Sequence, residues 1–315
     1  MENNLELIMF CGLPASGKST YSQLYKEKGY VVLSSDEIRE DFQNKIDKGE
    51  MKMPNNTNLN SMVFDEIKSL ASRALKNGKS VVVDATNLGR RRRRIFLNQL
   101  YRTPCKKVCN LFLTSIEECF KRNALRSGYA VVPNDVMQKM CCNIELPYYF
   151  DGFDEIIPII DSVPVNFDYS WTLNFNQDNP HHSLTLGEHM LKAYEYAVEN
   201  NFNDRLKETV YYHDIGKYYT QTYFNSRGEV SKHAHYYGHE NYGAYLYLTW
   251  RCCGKKVTTE QFNKYLYQAN LINCHMRPLI LWKHQEVVKS KDKQLFGEEF
   301  FNDLVNLNRA DILAH

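Results

Sequence analysis

The chain has 315 residues, of which 43% are hydrophobic and 24% charged, and its formal net charge is +2. That is the composition of a soluble globular protein long enough for two domains with separate cores, and it excludes a disordered or low-complexity chain. The small net charge hides a mild asymmetry: residues 1–160 hold 23 Lys and Arg against 19 Asp and Glu, the remainder 16 against 18.

Leu7–Cys11 reads as a buried strand, and the apolar stretch Leu5–Leu13 around it is too short to span a bilayer. A glycine loop and a helix from Lys18 to about Lys28 follow. Tyr30–Ser34 is the next strand, Asn60–Lys76 a helix, Ser80–Asp84 a strand, Arg91–Tyr101 a helix and Lys107–Leu113 a strand. Helices are expected at Ile116–Ser127 and Asn134–Ile144, and Glu155–Ile160 is the last strand of the set. Short apolar strands between helices imply a parallel sheet covered on both faces. The pattern then changes. Helices dominate from Leu186 on, at Leu186–Asn200, Asp204–His213, Tyr242–Cys252, Thr259–His275 and Glu298–Ala314. The expected organisation is an α/β domain over 1–162, a linker over 163–177 and an all-α domain over 178–315. Nine cysteines without a CxxC…CxxC zinc spacing, and a start lacking the features of a secretory signal, suit reduced thiols in a cytoplasm and no membrane.

Gly12-Leu13-Pro14-Ala15-Ser16-Gly17-Lys18-Ser19 stands between a predicted strand and a predicted helix, the context a P-loop requires. Its glycines let backbone N–H groups turn toward a phosphate, and the helix N-terminus adds partial positive charge. Lys18 can reach the β- and γ-phosphates of ATP or another NTP, and Ser19 or Thr20 can coordinate Mg²⁺. Asp36 follows the second strand, at the carboxyl edge where ligands bind in such sheets. It can accept a proton from an acceptor hydroxyl or cap the helix that follows; Arg39, one turn on, can hold an acceptor phosphate. Asp84 ends the next strand in Asp84-Ala85-Thr86-Asn87 and can orient Mg²⁺ or the acceptor. The run Arg90–Arg94 opens a helix, where five cations are unfavourable unless a polyanion or solvent relieves them. Arg122 and Arg126 stand four apart, as expected of one helix face that clamps phosphates or of two surface arginines.

Across about residues 6–160 these pieces, with Val132-Pro133, resemble the kinase domain of phage-type polynucleotide kinases. The resemblance implies Asp36 as general base, Arg122 and Arg126 as lid arginines, and Arg39, Asp84 and Asn87 at the acceptor site.

All ten histidines lie at or beyond His181. His189, His213-Asp214, His239, His275 and Asp311 combine imidazole and carboxylate, donors that suit first-row metals and that converging helices can gather in a core. A lone histidine is more often structural; Asp214-x-x-Lys217 beside His213 argues for more. The order resembles the HD-domain metal-dependent phosphohydrolases over about residues 180–315. The resemblance implies His189, His213, Asp214 and Asp311 around one metal, His239 and His275 around a second, and Lys217 facing a phosphate. One or two ions of Mn, Ni, Co, Zn or Fe are then expected. His181, His182, His233 and His235 are candidates for substrate contact.

A kinase and a phosphatase are complementary on a broken strand, because a ligase needs a 5′-phosphate and a 3′-hydroxyl. The expectation is an enzyme that heals both ends of a nucleic acid, RNA in first place, ahead of a ligase. A nucleoside or other small-molecule kinase joined to a nucleotidase, and a nucleotide sensor whose HD half is inactive, are the alternatives.

Overall fold

Five strands, β1 (Glu6–Cys11), β2 (Val31–Ser34), β3 (Val81–Asp84), β4 (Lys106–Leu113) and β5 (Glu155–Ile160), form one sheet in the order β2-β3-β1-β4-β5. This computed structural model describes residues 5–54, 57–100, 103–180, 183–283 and 285–314, so His181 and His182 lie outside the described residues. β1 pairs in parallel with β3 and β4, and β2 with β3. The register sets Ser34 beside Asp84, so the ends of β2 and β3 lie level at one edge of the sheet. Val81, Val82 and Val83 are fully buried, which is why β3 reads as an uninterrupted apolar run. Helices α1 (Lys18–Glu27), α2 (Ser35–Asp47), α3 (Leu59–Lys76) and α4 (Arg90–Gln99) connect the strands. α3 buries Val63, Ile67, Ala71 and Leu75, one residue per turn along a single stripe. Each of the larger three contributes about 1.5–3 kcal/mol by leaving water.

The chain divides into two compact units, Met1–Phe112 with Asp151–Ile159, and Leu113–Phe150 with Ile160–His315. The second contains α5 (Ile116–Ala124), α6 (Asn134–Cys141), α7 (Leu186–Glu199), α8 (Asp204–Tyr212), α9 (Lys217–Thr220), α10 (His239–Cys252), α11 (Thr259–Cys274), α12 (Glu286–Phe296) and α13 (Glu298–Leu313). Its core is built from Leu206 and Val210 of α8, Leu271 of α11, and Phe300, Leu304 and Leu307 of α13. α7 and α11 each start in a capping box, Thr185 with Glu188 and Thr258 with Gln261, which satisfies two otherwise orphaned N–H groups at each helix start. Residues 163–177, expected as a linker, carry a short 3-10 turn at Ser170–Asn174 with Thr172 and Gln177 buried. The close fit of Gly187 against the backbone of Leu173 seats this stretch on α7.

A helix was expected after Asp36 without bounds; α9, α12 and a two-stranded hairpin were not foreseen. α2 buries only Ser35, and α12 only Asp292 and Phe296, so neither shows the apolar stripe by which a helix is read. β6 (Thr222–Phe224) and β7 (Val230–His235) form an antiparallel hairpin within the expected all-α region; Val-Ser-Lys-His-Ala-His lacks the apolar alternation of a strand. No described helix is long and apolar enough to cross a membrane.

Candidate phosphate loop and candidate metal centre

β1 delivers the chain into the glycine loop and α1 takes it out, with Gly17 at φ 94° as the N-cap residue. Ala15 is also left-handed, at φ 62°, a conformation costly outside glycine and concentrated at functional sites. A Cβ on Gly12 would sit 2.8 Å from that of Phe112 on β4, so only glycine lets the loop leave the sheet here. Lys18 Nζ donates to the carbonyls of Gly12 at 3.1 Å and Leu13 at 2.6 Å. The lysine thus curls over the loop it follows, with Ser19 and Thr20 exposed beside it.

Asp84 accepts a hydrogen bond from the Ser22 hydroxyl of α1. Burial pushes its carboxyl above the ordinary range, against the lowering pull of Ser22 and Lys18. Asp36 is the second residue of α2, exposed and ion-paired with Arg39 at 2.5 Å. It does not cap α2: Ser34 does, accepting from the Glu37 N–H at 3.3 Å. Asn87 has φ 45° and donates its amide to Phe10 O at 2.7 Å, which braces the segment after β3 against the end of β1.

Two expectations about arginines are corrected. The run 90–94 is not a uniform exposed patch, because Arg93 is 1% and Arg90 5% exposed. Arg93 Nη2 lies 2.7 Å from Asp151 Oδ2 and Arg90 Nε 3.4 Å from Oδ1. A helix turns residues three apart to the same side, so Arg90 and Arg93 face inward while Arg91 and Arg92 are exposed. Arg122 and Arg126 do not share a helix face, since α5 ends at Ala124. Arg122 pairs with Glu118 at 2.8 Å and Asp161 at 2.7 Å, and Arg126 donates to Ala130 O at 3.1 Å in the turn beyond.

In the helical unit the six histidine and aspartate positions singled out converge. α7 supplies His189 and the end of α8 supplies His213, followed directly by Asp214; α13 supplies Asp311. These four offer ligand atoms within 4.8 Å of one another, and Asp214, His239 and His275 form a second such group. Asp214 divides its oxygens between them. Oδ2 stands 3.3 Å from His189 Nε2 and 3.5 Å from His213 Nε2; Oδ1 stands 3.2 Å from His239 Nε2 and 3.4 Å from His275 Nε2. Asp311 Oδ1 completes the first group at 3.2 and 3.4 Å from His189 and His213.

The donor set fits metal. Ligand atoms about 2.1 Å from one ion stand about 3.0 Å apart at right angles and about 3.4 Å apart at tetrahedral angles, the spacing found. His213, His239 and His275 each hold a backbone carbonyl at 2.7 Å through Nδ1, those of Val210, Tyr236 and Ile272. With the proton on Nδ1, Nε2 presents a lone pair to the centre. The Nε2 atoms of His239 and His275 are then 3.1 Å apart, a juxtaposition of lone pairs that calls for a cation between them. Burial alone would raise the Asp214 carboxyl, but Lys217 and His213 hold it well below the usual carboxylate range.

Lys217 Nζ lies 2.7 Å from Asp214 Oδ2 and 2.9 Å from Gln177 Oε1. Gln177 was not picked from the sequence, where nothing marks it. Gly216 was also missed. A Cβ there would fall 2.0 Å from His239 O, so its glycine lets the start of α10 press against the His213-Asp214 turn.

A family model described as an AAA domain matches residues 7–147. The L-seryl-tRNA(Sec) kinase of Methanococcus maripaludis is 26% identical over 181 residues, 55% of this chain and 66% of that protein, so the match spans just under two thirds of the relative's length. The matched segment contains the glycine loop between β1 and α1, so the N-terminal half carries a P-loop domain similar to these proteins. Among solved structures, a gluconokinase from Sinorhizobium meliloti 1021 superposes with a TM-score of 0.35 at 18% identity, over 49% of this chain and 82% of that one. A chain of the Pnkp1/Rnl/Hen1 RNA repair complex superposes with a TM-score of 0.36 at 20% identity, over 44% of each chain.

Proposed function

We propose that the chain heals both ends of a broken RNA strand. The P-loop half transfers the γ-phosphate of ATP, with Mg²⁺, to a 5′-hydroxyl. The helical half is an HD-type phosphohydrolase that clears 2′,3′-cyclic phosphate, or 3′- or 2′-phosphate, and so prepares the strand for a ligase. The observation that carries the reading is the second centre: two buried histidine–carboxylate groups sharing Asp214 in the same chain as a phosphate-binding loop.

In the kinase reaction Lys18 and the loop N–H groups hold the transferring phosphates, and Ser19 or Thr20 holds Mg²⁺. Asp36 takes the proton of the acceptor hydroxyl, while Arg39 turns from Asp36 to the acceptor's phosphate. Arg122 and Arg126 act as the clamp, exchanging their present partners for the nucleotide. Asp84 and Asn87 position the acceptor side, Asn87 through its brace on Phe10. In the hydrolase His189, His213, Asp214 and Asp311 hold one divalent metal, and Asp214, His239 and His275 a second. Bound metals supply Lewis acidity toward the phosphate oxygens and lower the pKa of an attacking water. The Nδ1 bonds keep three imidazoles oriented, and Lys217 offsets charge gathering on the phosphate.

The kinase relative favours a second reading of the first half, since its name places the acceptor hydroxyl on a seryl group carried by tRNA. The P-loop unit would then phosphorylate an RNA-borne or free small molecule, with the helical unit as a nucleotidase.

One experiment separates these. Protein with ATP, Mg²⁺ and Mn²⁺ receives RNA bearing a 5′-hydroxyl and a 3′-phosphate or cyclic phosphate, and in parallel nucleosides and seryl-tRNA. Lys18→Ala and Asp36→Ala are expected to abolish 5′ labelling and spare phosphate release; Asp214→Ala does the reverse. Labelling of nucleosides or seryl-tRNA alone sinks the polynucleotide reading, and no phosphate release with any divalent metal sinks the phosphatase.

A further inference from the structure

The β6–β7 hairpin, unforeseen in the sequence, runs directly into the metal centre. Two residues after Tyr237 the chain starts α10 with His239. The hairpin's inner side is fastened to the segment beneath it. The Tyr223 hydroxyl donates to Asp178 at 2.8 Å, that of Tyr236 donates to Gln177 O, and Ala234 N donates to Asp178 O at 2.9 Å. Gln177 in turn accepts from Lys217, and Lys217 pairs with Asp214. A continuous set of polar contacts therefore holds the hairpin in place relative to the centre.

Rings at the two ends of the hairpin, and one on the adjoining α9, are left partly exposed. Phe224 is 54% and Tyr237 48% exposed, and Tyr218, next to Lys217, is 46% exposed. Tyr237 stacks on His235 with centroids 5.3 Å apart and planes 8° from parallel. His235 Nε2 is buried there without a hydrogen-bond partner among the described residues. Exposed Lys232 and His233 lie on the same strand, and exposed Arg227 is in the turn. Exposed aromatic rings interleaved with cations suit an unpaired nucleic acid strand: every base offers a π-face, and the cations meet its phosphates. The six residues of β7 span about 17 Å, room for several stacked nucleotides.

We infer that the hairpin is a stacking platform for the last unpaired nucleotides of the strand whose phosphorylated 3′ end enters the metal centre. The inference rests on the phosphohydrolase reading of that centre. Removing a ring from a stacked base weakens binding about 5- to 150-fold, or about 1–3 kcal/mol.

The test uses the full chain with Phe224→Ala and Tyr237→Ala combined, and a milder Tyr237→Leu that keeps apolar bulk. Manganese-dependent phosphate release is followed from a 5′-phosphorylated RNA oligonucleotide ending in a 3′-phosphate, and from p-nitrophenyl phosphate, which has no base. The platform requires KM for the oligonucleotide to rise tenfold or more in the double variant, with kcat and p-nitrophenyl phosphate hydrolysis retained. An unchanged oligonucleotide KM, or equal losses on both substrates, overturns it. The same oligonucleotide with 5-iodouridine at its last three positions is also crosslinked to wild-type protein. Crosslinks to Phe224, His235 or Tyr237 are expected, and crosslinks confined to residues outside 218–237 overturn the inference. Should wild type release phosphate from neither substrate, the phosphohydrolase reading fails, while the crosslinks still decide whether the hairpin binds the strand.

Discussion

Asp151→Ala tests whether the inward arginines are structural. The side chains of Asp151 and Arg93 are 0% exposed and that of Arg90 is 6% exposed. Arg93 reaches Asp151 through Nε at 2.8 Å and Nη2 at 2.7 Å, and its Nη1 donates to the carbonyls of Asn87 and Leu88, each at 2.9 Å. The substitution leaves two guanidinium charges buried without their carboxylate; breaking such a pair costs about 3–5 kcal/mol. At about 2 kcal/mol per molar urea, the midpoint of the P-loop unit would fall by about 1.5–2.5 M. Trp171, Trp250 and Trp282 all belong to the second unit, so their fluorescence does not report this. Hydrogen exchange of the β1 and β3 amides does. Because Arg93 also holds Asn87, exchange at Phe10 and Cys11 should accelerate with the rest of the unit. Asp151→Asn, which keeps an acceptor oxygen, should cost less. A loss below about 1 kcal/mol for Asp151→Ala would refute the reasoning and return all five arginines to candidate phosphate contacts. If the cost does come from stranded charge, Arg90→Met and Arg93→Met combined with Asp151→Leu should recover most of it, since apolar replacement of buried ionic groups is often neutral.

Gly216→Ala forces a Cβ to within 2.0 Å of His239 O and 2.7 Å of Gly243 N. Metal content should drop and stability fall by about 1–3 kcal/mol; wild-type values in metal analysis and melting would contradict the close approach. His239→Ala touches one ligand group and Asp214→Ala both, so elemental analysis should find one ion lost in the first and both sites emptied in the second, whereas equal losses argue against a shared carboxylate. Asp84 carries a carboxyl raised by burial above its ordinary 3.8. A raised carboxyl adds stability below its unfolded pKa and loses it as pH climbs through the folded value. Asp84→Asn should therefore melt near wild type at about pH 3 and pull ahead toward about pH 7. A constant lead across that range would remove the case for a half-buried carboxyl raised by desolvation at the sheet edge.

Much of the fold could be read because burial leaves a pattern. The runs at 7–11 and 81–83 are buried throughout, and α3 carries its four buried residues one turn apart. Elements that bury little left no such trace, as with α2 and α12. The arginine run misled for another reason. Counting charges gives no direction, and the partner that draws Arg90 and Arg93 inward, Asp151, is 58 residues beyond Arg93 in sequence. The hairpin escaped notice because its strands are fixed by hydroxyl and backbone bonds to Gln177 and Asp178 and not by an apolar face.

The metal-centre residues were legible as residue types, but their orientation follows from a local rule that composition does not express. His213, His239 and His275 each bond, through Nδ1, the carbonyl three residues earlier. His213 and His275 sit at the C-caps of α8 and α11, and His239 opens α10 just after a turn. Helix ends leave carbonyls without intrahelical partners, so an imidazole there satisfies one of them and turns its other nitrogen outward from its own helix. Three such termini facing one carboxylate make a centre from separately stable local arrangements. The two imidazoles of the first group are then unequal: His213 holds the Val210 carbonyl at 2.7 Å through Nδ1 and stands 3.5 and 3.4 Å from the two aspartates, whereas His189, in the interior of α7, approaches Asp214 and Asp311 more closely, at 3.3 and 3.2 Å. Loss of either aspartate should therefore disorder His189 more than His213. Nitrogen chemical shifts of the two rings, followed in Asp311→Ala, should show His189 changed and the Nδ1-protonated form of His213 preserved. A His213 ring that changes tautomer along with His189 would mean that the metal ligands, and not the carbonyls behind them, set its orientation.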